Sequence, residues 1–296
     1  MKPLTIKAYA KLNLCLSITG RRPDGYHEID SVFHCISLHD TLTFKQRQDG
    51  IVSVVCSDPG LPVDSANLVV KAAVALKQLA GQTSPTDSLG ADISLDKGIP
   101  IGAGLGGGSS DAATTLLGLR QLWGLKRIGS RQLFRLAEAL GSDVPFFLAG
   151  GTARVTGRGE RVKPISCPRK YHFLIIYPGL SVSTAWAYKN LRWRKNRLTK
   201  LGKFSKILVD RCRSAAPASS LAPCFWNDLE PAVISEHPAI ARAKADLLVY
   251  GALGGLMSGS GSCVFGLFPG PRSAAAAHCH ISRLWPMSFL ARSIVP

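Results

Sequence analysis

Acidic residues are scarce in this sequence. Asp and Glu number 19 against 36 Lys and Arg, a formal net charge of +17. That excess fits either a nucleic-acid binder or a protein that handles small anionic ligands, and says nothing about fold. Long hydrophobic runs are missing too. The longest apolar stretches are as short as Phe173–Ile176, so no membrane-spanning helix is expected. Met1-Lys2-Pro3-Leu4-Thr5 has neither the apolar core nor the cleavage site of a secretory signal, and none is expected. Eight cysteines occur without a C-x-x-C pair, which argues against a zinc site and a disulfide scaffold and fits a reducing cytoplasm. There is no G-x-x-x-x-G-K-[ST] string, which excludes a Walker loop. Internal repeats and low-complexity tracts are absent as well.

What is present is a chain able to bury a core. Hydrophobic residues make up 46% of 296 residues, enough for one large or two ordinary domains. Leu4 to Leu16 alternates: Leu4, Ile6, Ala8, Ala10, Leu12, Leu14 and Leu16 share one face, with Lys11 and Asn13 on the other. Period two predicts a half-buried strand. Helices are predicted over Asn67–Leu79, capped by Asp64 or Ser65, and over Asp111–Leu122, capped by Ser109 or Ser110. Others follow over Arg131–Leu140, capped by Ser130 and stopped by Gly141, and over Pro231–Tyr250. Strands are predicted at Ile51–Cys56, Ile93–Leu95, Thr152–Thr156, His172–Tyr177 and Cys263–Phe268. Without a regular βαβ alternation, this mixture predicts α+β layers. A weak boundary divides residues 1–158 from 159–296.

Pro100-Ile101-Gly102-Ala103-Gly104-Leu105-Gly106-Gly107-Gly108-Ser109-Ser110 runs straight into Asp111-Ala112-Ala113. Glycine lets backbone N–H groups approach a ligand closely. The first N–H groups of the following helix are unpaired and carry the positive end of its dipole. Together they make an anion site suited to phosphates. A plain flexible connector is the competing reading. A dinucleotide fingerprint lacks its preceding long strand and its acid.

Pro100–Ala113 resembles the ATP loop of the GHMP kinases. Five further segments agree in order: Ala8–Leu14, Arg22-Pro23-Asp24-Gly25-Tyr26-His27, Leu140–Phe146, Trp226–Glu230 and Met257–Ser262. The triple glycine with Ser-Ser is most similar to the branch that phosphorylates 4-diphosphocytidyl-2-C-methyl-D-erythritol on its 2-hydroxyl, a step of non-mevalonate isoprenoid synthesis. The resemblance implies a two-domain α+β fold, with a ribosomal-S5-like nucleotide domain and a ferredoxin-like substrate domain. It implies ATP and Mg²⁺ as cofactors and a small-molecule cytidine diphosphate substrate. It implies no specific nucleic acid, no membrane, and a monomer or weak homodimer in the cytoplasm.

Residue by residue, the resemblance makes Asp143 the catalytic base and Lys11 its partner. By position alone, Asp143 reads as the cap of a short helix beginning at Val144-Pro145, and Lys11 as an exposed strand lysine. Pro100 to Ser110 would cradle the nucleotide phosphates, with Asn67 and Lys97 near the adenine and Ser110 the guess for a metal ligand. Asn13 would contact substrate. Tyr26, His27 and Tyr188 would recognise the cytosine, although Asp24-Gly25 is also a plain turn with a half-buried aromatic after it. Gly259-Ser260-Gly261 is either a second loop closing on substrate or a tight turn before a buried strand. His34, His39, His172, His237, His278 and His280 show no ligand spacing and are expected to be structural. Eight Lys or Arg and no acid occur from Lys189 to Lys206. That run reads as a solvated face, a phosphate-steering segment or a polyanion-binding surface.

Overall fold

The computed structural model describes residues 2–82, 89–191 and 198–295. Arg192, Arg194, Lys195 and Arg197 of the basic run lie outside the described residues. The chain forms two compact units that are interleaved in sequence. One holds residues 1–10, 39–99 and 106–149, the other residues 11–38, 100–105 and 150–296. No single cut near 158 separates them. Two long strands, β1 (Leu4–Arg21) and β2 (His27–Arg47), contribute to both.

In the first unit, Thr41–Arg47 of β2 pairs antiparallel with β4 (Gly90–Asp96), and β4 pairs parallel with β3 (Val52–Cys56). Helices α1 (Leu68–Gly81), α2 (Gly107–Leu122), α3 (Ser130–Leu140) and α4 (Val144–Ala149) pack into one core with these strands. Phe44, Ile93 and Leu95 meet Leu76, Leu116 and Ala137 there. Gly118 sits in the middle of α2, where glycine weakens a helix. A Cβ at this position would come within 2.6 Å of the Phe44 ring. The residue is small because the strand's largest core side chain occupies that space.

In the second unit, Cys15 and Leu16 of β1 pair parallel with β8 (Trp226–Asn227). Ile29–His34 of β2 pairs with β5 (Thr152–Gly157), and β5 with β6 (Arg161–Ile165). A separate antiparallel sheet has the order β11-β7-β10-β9, with β7 (His172–Ile176), β9 (Gly254–Met257), β10 (Val264–Phe268) and β11 (Ser288–Arg292). Helices α9 (Pro238–Val249) and α10 (Pro271–Leu284) pack against that sheet. The remaining helices are α5 (Thr184–Lys189), α6 (Leu198–Arg213), α7 (Ala218–Leu221) and α8 (Glu230–Glu236). The expected α+β class is therefore observed.

Several local expectations need correction. Alternation along β1 holds only as far as Ala10; from Lys11 to Ile18 both faces are buried. The cap of α1 is Asn67, whose Oδ1 accepts the Val69 N–H at 2.8 Å, while Asp64 closes the preceding turn by accepting from Ala66. Helix α2 begins four residues before Asp111, after a left-handed Gly106, so Ser109 and Ser110 lie inside its first turns. Helix α3 includes Ser130; its N-cap is Gly129, whose N–H is accepted by Gln132 Oε1 at 3.0 Å. The helix expected over Pro231–Tyr250 breaks at His237, because Pro238 cannot donate to the preceding turn and pushes His237 out of helical geometry.

His34 is structural, as expected. It is buried between β2 and β5, with Nδ1 2.8 Å from Thr152 Oγ1 and Nε2 2.8 Å from Ser293 Oγ. Burial pushes its pKa down to about 4. The unfolded chain therefore binds one more proton than the folded chain between about pH 6.5 and 4. Stability from this site is complete above the ordinary histidine pKa and is lost as pH falls through that window. Wild type should lose about 3 kcal/mol relative to His34→Gln between those limits, read from urea unfolding across pH. Parallel pH curves for the two proteins would contradict this.

Candidate active site

Four segments of the second unit converge on Lys11 and Asn13. These side chains are 3% and 1% exposed, so a strand position that reads as solvent-facing lies inside the protein. Lys11 Nζ donates to Asn13 Oδ1 at 2.5 Å and lies 4.7 Å from the centre of the Phe33 ring. Asn13 Nδ2 donates to Ser31 Oγ at 3.1 Å, and Ser31 donates in turn to the Cys15 carbonyl. The Asn13 amide carbonyl is thereby turned toward the lysine. A buried ammonium needs such polar partners, because an isolated one costs several kcal/mol.

The glycine segment reaches this pair through backbone contacts. Lys11 N–H donates to Leu105 O at 2.9 Å, and Cys263 N–H to Ala103 O at 3.1 Å. Ser258 Oγ donates to Gly104 O at 3.0 Å and accepts the Asn13 N–H at 3.3 Å. Gly104 has φ +76°, and a Cβ there would stand 2.0 Å from Ser258 O. Its missing side chain makes room for the protein's own second glycine loop. Gly259 lies on the lysine and asparagine in the same way: a Cβ would sit 3.3 Å from both Asn13 Oδ1 and Lys11 Nζ. Ser260 Oγ contacts Thr184 Oγ1 at 2.9 Å, and Ser262 donates to Leu180 O, which joins α5 and its leading turn to the same loop.

Asn227, within the Trp226–Glu230 motif, holds this loop. It is buried, its Nδ2 donates to Met257 O and Gly259 O at 2.8 Å each, and its Oδ1 accepts the Leu229 N–H. Asp228 accepts the Ile18 N–H at 2.7 Å, and Glu230 accepts the Met257 N–H at 2.9 Å. Ser31, Ser258 and Asn227 carry no sequence signal of their own as site residues. Only their polarity inside otherwise apolar segments hints at a role.

The aromatic residues expected at the base site also gather in the second unit. The His27 and Tyr188 rings stack with centroids 5.1 Å apart. Tyr26 is exposed, and the Arg158 guanidinium stands 5.4 Å from its ring centre. Burial, with help from Arg21, lowers the His27 pKa and favours the neutral imidazole. The turn before them is braced by Arg22, which pairs with Asp24 at 3.0 Å and Glu28 at 2.5 Å, and by Asp24 accepting the Tyr26 N–H.

In the first unit, Gly106–Ser110 open α2. Gly108 is exposed and Ser110 buried. Both Asn67 side-chain atoms are engaged, Oδ1 in the α1 cap and Nδ2 on Pro62 O at 2.6 Å. Lys97 is buried, with Nζ 2.5 Å from Asp40 Oδ2 and 2.9 Å from Asp111 Oδ2. Burial works against its charge, but Asp111 and Asp40 outweigh burial and raise its pKa. Burial first, with Asp40 adding, pushes Asp111 up to about 7 against the pull of Lys97. Asp143 is half-buried in the turn immediately before α4.

Comparison with known proteins gives the family. Residues 67–151 match the GHMP kinases N terminal domain, and residues 212–286 the GHMP kinases C terminal domain. A 4-diphosphocytidyl-2-C-methyl-D-erythritol kinase from Prosthecochloris aestuarii is 40% identical, aligning 98% of this chain with 99% of its own. One from Chlorobium phaeobacteroides is 43% identical, over 94% of this chain and 93% of its own. A crystal structure of 4-(cytidine 5'-diphospho)-2C-methyl-D-erythritol kinase superposes with a TM-score of 0.79 at 34% identity, over 99% of this chain and 100% of that one. A homoserine kinase from Cytophaga hutchinsonii shares the fold, with the same TM-score of 0.79 at 20% identity. The chain belongs to the GHMP kinase family, whose members are small-molecule phosphotransferases. Within it, the full-length relatives at about 40% identity carry the name 4-diphosphocytidyl-2-C-methyl-D-erythritol kinase.

The contact at Gly104 sets a measurable limit. Gly104→Ala adds a Cβ against a backbone carbonyl at a left-handed position. It should destabilise the protein by about 3 kcal/mol or more in urea unfolding. A loss below about 0.5 kcal/mol, the size of an ordinary surface change, would mean the two loops do not meet as described.

Proposed function

We propose that this chain transfers the γ-phosphoryl group of ATP to the 2-hydroxyl of 4-diphosphocytidyl-2-C-methyl-D-erythritol. The observation that carries the reading is the buried Lys11–Asn13 pair under two glycine loops, in a chain related along its whole length to kinases of that name. No helix among the described residues is long and apolar enough to cross a membrane, and all eight cysteines are free thiols, which suits a cytoplasmic enzyme.

Phosphoryl transfer needs positioning, charge neutralisation and a proton acceptor. We assign the last role to Asp143. It takes the proton of the 2-hydroxyl as that oxygen bonds to the γ-phosphorus; the bond to the β–γ bridging oxygen breaks, and ADP leaves with the electron pair. Lys11 supplies positive charge that favours the ionised carboxylate and the developing alkoxide. Asn13 holds the ammonium and contacts the substrate. Tyr26, His27 and Tyr188 take the cytosine by stacking and hydrogen bonding, the neutral His27 ring offering one donor and one acceptor. The Pro100–Ser110 segment holds the phosphates through backbone N–H groups at its open end, around Gly107 and Gly108, and through the α2 dipole. Asn67 and Lys97 flank the adenine through their backbone, since their side chains are occupied. We assign ATP chiefly to residues 1–158 and the cytidyl substrate to residues 159–296, with Asn13, Tyr26 and His27 added to the substrate side from β1, β2 and the turn between them. We assign Mg²⁺ to the oxygens of the nucleotide phosphates, the hard donors it prefers. Mg²⁺ would neutralise phosphate charge there, with the buried Ser110 hydroxyl as the proposed protein contact.

Asp143→Ala should lower kcat by about 10²–10⁴-fold while KM for ATP changes little. Turnover near the wild-type rate would remove Asp143 as the base. A panel of hydroxyl acceptors with ATP tests the substrate: phosphorylation of homoserine but not of the cytidyl compound would overturn the assignment.

A further inference from the structure

In the buried trio Asp40, Lys97 and Asp111 only Lys97 has been placed at the nucleotide, and there through its backbone; the side-chain connections of the three have a pattern of their own. Asp40 is the final polar residue before Thr41 starts the pairing of β2 with β4, and its side chain is fully buried. Its Oδ1 accepts the Gly98 and Ile99 N–H groups at 2.7 and 2.8 Å. These residues lead directly into Pro100. Its Oδ2 accepts from Lys97 Nζ, which also donates to Asp111 on the opening turns of α2. The entry stem of the glycine segment (97–99) and its exit stem (107–111) are thus tied by one buried ammonium between two carboxylates. Asp111 Oδ1 is buried without a hydrogen-bond partner, so the arrangement is not optimised for stability alone.

We infer that Asp40 and Asp111, acting through Lys97, are positioning residues that set the spacing of the two stems of the glycine loop and so its affinity for the nucleotide triphosphate. The inference rests on the reading of that loop as the ATP site. The loop has five glycines among the seven residues from 102 to 108, and only Ala103 and Leu105 bury a side chain there. A flexible cradle must be ordered when phosphate binds, and that entropy weakens binding. Stems held at fixed separation reduce the loss. Salt-bridged anchors suit the task because their geometry is strict and the surrounding core excludes water.

Asp40→Asn separates the link from the fold. The amide Oδ1 still accepts from Gly98 and Ile99, whereas Nδ2 presents a donor to the Lys97 ammonium and breaks that bond. Asp111→Asn weakens the other half and also removes a negative charge near the proposed phosphate site. If Asp111 acted only through that charge, its removal would tighten ATP binding; if it positions the stems, binding weakens. The experiment is steady-state kinetics on wild type and both variants, varying ATP and the cytidyl substrate separately, beside ATP binding by calorimetry. Asp92→Asn, which disturbs a surface pair with Arg47 in the same unit, is the control. Expected for Asp40→Asn and Asp111→Asn is a KM and Kd for ATP raised about tenfold, with kcat within about threefold and KM for the cytidyl substrate unchanged. Unchanged or lowered KM for ATP in Asp111→Asn overturns the inference, even if Asp40→Asn fails to fold. So does a fall in kcat with KM for ATP intact, the mark of a merely structural role. Wild type that turns over the substrate yet shows these results leaves the ATP-loop reading standing; wild type that binds no ATP removes both.

Discussion

Two backbone segments in the second unit approach so closely that one of them has no room for a side chain at the point of contact. The carbonyl of Ser258 occupies the place of a Cβ on Gly104. Ser258 uses its hydroxyl to hold the Gly104 carbonyl and to receive the Asn13 N–H, so one residue fixes the first glycine segment, the second glycine loop and β1 together. Lys11 and Asn13 depend on that junction. Their polar ends face Gly259, and a wider separation would admit water and let the ammonium leave its amide partner. The Asn227, Asp228 and Glu230 side chains serve the same end. Each is spent on main-chain groups, of the second loop or of β1. Backbone held by buried side chains is the usual means of keeping irregular chain rigid where a regular ladder is absent.

The first unit solves a related problem with charge. Three ionisable groups stand below the glycine segment, and burying them is costly unless each finds partners. Lys97 finds two carboxylates and Asp40 finds two backbone N–H groups as well. Asp111 falls short by one oxygen, and burial, with Asp40 adding, raises its pKa to about 7. A replacement of the trio by apolar residues would be expected to hold the core together at least as well. Its charged make-up points to a requirement of geometry rather than of stability, and the stems of the glycine segment are what the trio touches.

Much of this was legible in the sequence. Helix periodicity located α1, α2 and α3 to within a few residues, and the ordered motifs carried the family and the α+β class. What failed did so for physical reasons. Lys11 and Asn13 read as a polar strand face, since alternation reports polarity and not exposure, and here the polar face is covered. The Asn67 cap was mistaken for Asp64 because both are good caps and only backbone geometry separates them. The long helix through Pro238 ignored the effect of proline on the residue before it. Ser31 had no signal, and the motifs that contain Asn227 and Ser258 did not single them out, because their roles depend on neighbours distant in sequence. Helices α6 and α10 and strand β11 lie in segments without a matching motif, although α10 carries Pro271 at its start and Ala274, Ala277 and Ile281 at helical spacing.

The glycine segment shows how a correct conclusion can rest on an incomplete cause. Its glycines suggested a backbone bared for a ligand. The structure gives them a prior duty, since Gly104 is needed by Ser258, and Gly102, Gly104 and Gly106 take left-handed dihedrals that shape the turn itself. Only where the segment enters α2, at Gly107 and the exposed Gly108, does the backbone lie open at a helix start. Glycine content alone therefore cannot tell a phosphate cradle from a crowded junction. The distinction comes from what lies on either side. A helix N-terminus follows the segment and a charge-locked turn precedes it, and a buried lysine stands where the other glycine loop folds over. A mere connector would need none of these.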